Sequence, residues 1–214
     1  MERTITALKA QKRNPERINV YLDGEFAFGL ARIVAAWLHI GQVLSEERIE
    51  RLRQEDALEA AYQRALLALS YRPRSEQEVQ RKLTEAGYDE AVRQAVIERL
   101  RNGGLVGDEQ FAQAWVENRQ TFRPRSKRML AAELRQKGVG NEEIEQALLG
   151  AVDDETMAYE AGARYARKLA VVDWETFRKR LSGYLGRKGF GYETVSVTVR
   201  RIWQELREGF EENY

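Results

Sequence analysis

Gly87, Gly138 and Gly189 stand at a constant interval of 51 residues (138 − 87 = 189 − 138 = 51). Leu83, Leu134 and Leu185 keep that interval, and so do Val79, Leu130 and Leu181. A period near 50, carried by glycines and apolar residues together, marks a tandem repeat of one structural unit. Two copies also share a run of identical residues. Residues 71–88 read YRPRSEQEVQRKLTEAGY and residues 122–139 read FRPRSKRMLAAELRQKGV. The third copy, LSGYLGRKGFGYETVSVTV, lacks the RPRS run but keeps the apolar frame.

Each copy reads as three helices. In copy one, Ser75 is a good N-cap and Glu78 follows three residues later, a capping box. Val79 and Leu83 then share a face at i, i+4, and Gly87 ends the helix in the left-handed conformation glycine tolerates. Pro73 lies before the cap, where it breaks nothing. Asp89 is placed to cap the third helix, which carries Val92, Val96 and Leu100. In copy two, Ser126 and Gly138 bracket the second helix and Asn141 can start the third. The first helices carry Leu58, Ala61, Tyr62, Ala65, Leu66 and Leu69 in copy one, and Phe111, Trp115 and Phe122 in copy two. Asp108 reads as the cap of that second-copy helix, and Asp153-Asp154 as the cap of the next.

The N-terminus follows a different rule. Ile18, Val20 and Leu22 alternate with Asn19 and Tyr21, Asp23-Gly24 is a hairpin turn signal, and Phe26 and Phe28 alternate on the return. Ile5 fits a preceding strand, and residues 33–38 a short apolar helix. The expected fold is mainly α: a tandem array of three three-helix repeats with a small N-terminal β-hairpin element. The expected boundaries are 1–45 for the hairpin cap and short helix, then 46–104, 105–151 and 152–214 for the repeats.

Composition narrows the class. Hydrophobic residues make up 43% of the 214, enough to bury cores. There is no cysteine, which excludes disulfides, thiolate metal sites and a cysteine nucleophile. No apolar run has signal-peptide or membrane-span length, so a cytoplasmic protein is expected. His39 is the sole histidine and is read as structural, since one histidine builds neither a metal site nor a catalytic triad. The run GRKGFG at 186–191 lacks the Gly-Lys-Ser/Thr spacing of a phosphate loop, and Gly189 already serves as a helix terminator. Trp115, Trp174 and Trp203 sit at helical positions beside apolar residues and are read as core. No constellation supports catalysis, and no cofactor or metal is expected.

With RPRS…L…G followed by GLVGDEQFAQAWVENR, and with KRNPERINVYLDGEFAFGL at residues 12–30, the chain resembles the RecX family of RecA regulators. The resemblance covers nearly the whole chain. It is strongest at residues 72–83, 105–119 and 123–138, and weaker in the third repeat. It implies tandem three-helix repeats without enzymatic activity and a role in DNA repair, homologous recombination and the SOS response. It further implies binding in the groove of the RecA–DNA filament, with inhibition of strand exchange, ATPase and coprotease functions.

The total charge is near balance, 35 Lys+Arg against 34 Asp+Glu, but it is segregated. Residues 117–137 hold seven bases against two acids, and 164–201 hold ten against three. Residues 138–163 between them hold seven acids and no base. Blocks of this kind complement a surface that alternates in sign, such as a protein polymer wound on DNA. The candidate contacts to partner or DNA backbone are Arg72, Arg74, Arg81 and Lys82 in copy one. In copy two they are Arg119, Arg123, Arg125, Lys127, Arg128, Arg135 and Lys137, and in copy three Arg178, Lys179, Arg180, Arg187 and Lys188. The competing reading of any such residue is a solvated helix face with i, i+4 pairs. Within RPRS, Ser and Pro have local structural tasks, whereas the flanking arginines are expected to be free for a partner.

The expected partner is the RecA filament, contacted by a monomer with weak DNA binding of its own. The alternative is an independent DNA-binding protein of helix-turn-helix type. Against it, Asp89-Glu90 and Asn141-Glu142-Glu143 open two of the third helices, where negative charge repels phosphate. A purely structural scaffold is the third reading.

Overall fold

The computed structural model describes residues 2–169 and 172–211. Four strands open the chain: β1 (Glu2–Ala10), β2 (Arg17–Leu22), β3 (Glu25–Ala31) and, after helix α1 (Arg32–Ala35), β4 (Val43–Ser45). They form one antiparallel sheet in the order β3-β2-β1-β4, so the expected hairpin β2-β3 is one side of a larger sheet, with β3 at its edge. Asp23 (φ 51°) and Gly24 (φ 91°) both take positive φ between the paired ends Leu22 and Glu25, the tight turn expected of Asp-Gly. The helix expected over residues 33–38 is a single turn, α1. β4 was not foreseen, because three residues are too few to show alternation.

The helices follow. Copy one has α2 (Glu46–Tyr71), α3 (Glu76–Glu85) and α4 (Glu90–Asn102). Copy two has α5 (Asp108–Phe122), α6 (Lys127–Gln136) and α7 (Asn141–Leu149). Copy three has α8 (Asp154–Ala166) with a 3-10 turn at Arg167–Leu169, then α9 (Trp174–Arg187) and α10 (Tyr192–Glu211). The chain groups into two compact units. One comprises Met1–Arg74 and Glu78–Val106, the other Gly107–Tyr214 together with Ser75–Gln77 at the start of α3.

In the first unit, Ile5, Val20, Leu22, Leu30, Leu44, Ile49 and Leu52 form the core of the sheet and the start of α2. Asp56 ties α2 to the sheet by accepting from Arg17 Nη2 at 2.8 Å and from the Ala31 amide at 2.5 Å. A separate core of Ala61, Ala65, Val79, Leu83, Val96, Ile97 and Leu100 holds copy one together. In the second unit, Phe111, Val116, Leu130, Leu134 and Ile144 form one core, and Phe177, Leu181, Leu185, Val195, Val199 and Ile202 another. The periodic residues Val79, Leu130, Leu181, Leu83, Leu134 and Leu185 are all at most 1% exposed. Trp174 and Trp203 pack with Phe177 in the third of these helical cores, and Trp115 stacks on Phe111 in the second, as expected. Phe122 closes α5, the first helix of copy two, and is 71% exposed.

Gly87, Gly138 and Gly189 have φ of 85°, 80° and 92°, the left-handed conformation expected of the repeat's helix terminator. Asp89 accepts from the Val92 amide and so caps α4. α7 starts at Asn141, as expected, although Asn141 is not its N-cap. Gly140 takes that place, and Asn141 Oδ1 accepts from Arg135 Nε at 3.1 Å.

Candidate partner interface

The RPRS run is first of all a joint. In the second unit the Ser75 hydroxyl donates to the Lys137 carbonyl at 2.5 Å, at the end of α6. In the same place one copy later, the Ser126 amide donates to the Lys188 carbonyl at 3.1 Å, at the end of α9. Both serines are completely buried. The last carbonyls of a helix lack intrahelical donors, and here the preceding copy supplies one.

The exchange runs the other way too. The Glu76 amide, at the start of α3, donates to Asp108 Oδ1 at 3.0 Å. The Lys127 amide, at the start of α6, donates to Asp154 Oδ1 at 2.8 Å. This corrects the expectation for Asp108, since its own helix is capped by Gly107 without a side-chain bond. In the pair Asp153-Asp154, Asp153 caps its own helix α8, accepting from the Thr156 amide, while Asp154 caps α6. Asp154→Ala should therefore lower the stability of the second unit by about 1–2 kcal/mol, through a lost cap and a part-buried amide left unpaired. A urea midpoint unchanged by Asp154→Ala would show that the joint adds nothing to stability.

The expectation that the RPRS arginines have no structural task is corrected for most of them. Arg72 forms a two-pronged pair with the buried carboxylate of Glu78, both contacts at 2.9 Å, and these bonds push its already high pKa further up. Arg74 Nε donates to the Ala68 carbonyl at 2.9 Å. Arg125 lies 3.4 Å from Glu133 Oε1 and donates to the Arg187 carbonyl. Glu133 also accepts from Arg119 Nε at 2.8 Å and Trp115 Nε1 at 2.9 Å. Lys127 Nζ donates to the Leu148 carbonyl, and Arg128 Nη2 to the Gly189 carbonyl. Arg119 and Lys137 lie over the Trp115 ring. Arg81 and Lys82 pair with Glu85.

The joint between copies two and three is electropositive. Lys188 Nζ donates to the Pro124 carbonyl at 3.1 Å and lies 5.0 Å from the Tyr184 ring centre. Burial, reinforced by Arg125 and Arg164 nearby, pulls its ammonium below the ordinary lysine value. Burial likewise pushes the Tyr184 phenol up, and that ring stacks on Tyr165 with centres 4.1 Å apart.

Five of the candidate cations have exposed side chains without a hydrogen bond or ion pair among the described residues: Arg123, Arg178, Lys179, Arg180 and Arg187. Four of them lie on α9. At 100° per residue, with Phe177, Leu181 and Leu185 facing the core, Arg178 and Lys179 fall on one flank of that stripe. Arg180 and Arg187 fall on the other. Arg200 of α10 is also exposed and has no hydrogen bond or ion pair among the described residues; in sequence it is one of the ten bases of 164–201, with nothing local to single it out. Tyr71 and Phe122, the aromatic residues that precede RPRS, are 76% and 71% exposed. His39 is exposed, and among the described residues no group of three His, Cys, Asp or Glu is placed to hold a metal ion. No helix among them is long and apolar enough to cross a membrane.

Models of the RecX N-terminal domain, the first RecX three-helix domain and the second match residues 3–45, 61–100 and 108–148. The regulatory protein RecX of Bacillus pumilus (strain SAFR-032) is 32% identical over 214 residues, covering 97% of this chain and 81% of the relative. That of Bacillus subtilis (strain 168) is 30% identical, covering 97% and 80%. A crystal structure of a regulatory protein RecX superposes with a TM-score of 0.71 at 27% identity, covering 92% of this chain and 98% of the other.

Proposed function

This chain belongs to the RecX family of regulatory proteins, and on that premise we propose that it is a non-enzymatic regulator of the RecA recombinase. It acts in the cytoplasm as a monomer, binding in the groove of the RecA–DNA filament and lowering ATPase, strand-exchange and coprotease activities. The observation that carries the reading is a family likeness that runs through the sheet and the helical copies together. The physical logic is multivalency. Copies with separate cores offer similar faces to a partner that itself repeats, and linked weak contacts gain through effective concentration. The unpaired cations of copy three supply the charge for such contacts. Independent DNA binding fits less well, since Asp89 and Glu90 open α4 and Glu142 and Glu143 stand in the first turn of α7.

The test measures RecA-dependent ATP hydrolysis on single-stranded DNA with and without the protein, beside binding to the same DNA lacking RecA. Hydrolysis should fall, and RecA-coated DNA should be preferred over naked DNA at moderate salt. Unchanged hydrolysis, or equal affinity for naked and coated DNA, would overturn the reading.

A further inference from the structure

We propose that the cleft between α9 and α10 is a docking site for an acidic protein segment that carries an apolar anchor side chain. Placing that segment on the protein partner rests on the regulator reading above.

The cleft encloses about 690 Å³, a size typical of sites that seat a few side chains. One face of each helix lines it: Trp174, Glu175, Arg178, Lys179 and Ser182 from α9, and Tyr192, Val195, Ser196, Val199 and Arg200 from α10. The buried Val195 and Val199, with the half-buried Trp174, form an apolar floor that belongs to the core of copy three. Arg178, Lys179 and Arg200 stand around it with exposed side chains and no intramolecular partner among the described residues. Their neighbours behave differently: Arg201 pairs with Glu205, and Arg164 with Glu160. Glu175 is the single carboxylate in the lining and forms no ion pair there. Tyr192 is 89% exposed, an aromatic ring held at the surface with nothing covering it.

Three unpaired cations around an apolar floor are complementary to carboxylates flanking an apolar side chain. Arginine takes a carboxylate in two-pronged fashion, and Ser182 and Ser196 add hydroxyls for a peptide backbone. A phosphate chain is a poorer match. It would bring evenly spaced negative charge past Glu175 and leave the valine floor unused, whereas a peptide can place its carboxylates away from Glu175.

Fluorescence anisotropy with a labelled short Asp/Glu-rich peptide centred on Leu-Phe tests the assignment. The controls are its Asn/Gln counterpart, a version with Leu-Phe replaced by Gly-Gly, and an oligothymidylate. The acidic peptide should bind the full chain, each peptide control should bind at least about tenfold more weakly, and Arg178→Ala/Arg200→Ala should lose about tenfold in affinity for the acidic peptide. Both arginines are exposed and have no partner among the described residues, so the variant should keep its circular dichroism spectrum. Equal binding by wild type and variant would overturn the proposal. So would absence of peptide binding combined with oligothymidylate binding that the variant loses, which would make the cleft a nucleic-acid surface. The recombinase assay separates the two readings. Suppressed ATP hydrolysis without peptide binding removes the cleft proposal alone. Peptide binding that the variant loses, with hydrolysis unaffected by wild type, removes the regulator reading and keeps the cleft.

Discussion

Gly138→Val is expected to destabilise the second unit by about 2–5 kcal/mol, while Gly87→Val costs the first unit only about 1–3 kcal/mol. Both glycines end the second helix of their copy with nearly the same φ, 80° and 85°, so both substitutions force a β-branched residue into the left-handed region. They differ in what lies outside. A Cβ at Gly87 would meet nothing within 4 Å. At Gly138 it would overlap the side chain of Gln77, including its Cβ at 2.5 Å, because the start of α3 is seated against this helix end. Gly189 repeats the arrangement with Ser126 Oγ at 2.5 Å and Met129 Cβ at 2.8 Å. Chemical denaturation followed by circular dichroism measures both losses. If they are equal, close approach at the joint contributes nothing and backbone conformation explains the glycine alone.

That contrast shows what one dimension can carry. The period of 51 found the helix ends and the buried frame, because spacing along a helix maps directly onto which side faces the core. The same logic read Asp108 as a cap of its own helix, since local capping is the pattern a sequence displays. Its bond to the Glu76 amide spans 32 residues and has no periodic signature. The arginines of RPRS failed for a related reason. A guanidinium looks free until the chain brings a carboxylate such as Glu133 or a carbonyl such as that of Ala68 beside it. Phe122 belongs to the first helix of copy two in sequence as in structure, but only the fold shows that this last residue of α5 is exposed. Block charge located copy three as a cationic region, but which of its cations stay unpaired depends on rotation about α9, and Arg200 emerged only from its place across the cleft.

Reversing Arg178, Lys179, Arg180 and Arg187 to glutamate should raise the concentration needed to halve RecA-dependent ATP hydrolysis by about two orders of magnitude. The arithmetic is modest: each exposed ionic contact is worth up to about 1 kcal/mol, reversal adds repulsion to loss, and about 2.7 kcal/mol amounts to a hundredfold. Because none of the four has an intramolecular partner among the described residues, folding stability should move by less than about 1 kcal/mol. The salt dependence of binding should flatten as well, since fewer charged contacts are left to screen. Replacing Arg123, Arg125 and Arg128 by alanine is a weaker experiment than it looks from sequence. Arg125 and Arg128 reach the carbonyls of Arg187 and Gly189 across the joint, so loss of activity there would mix binding with assembly of the copies. Of the three, only Arg123 has a side chain without a hydrogen bond or ion pair among the described residues, so Arg123→Ala should keep the joint intact. The four-residue reversal therefore separates charge from architecture. A folded reversal variant that still suppresses hydrolysis at wild-type concentrations would return the α9 cations to the status of a solvated helix face.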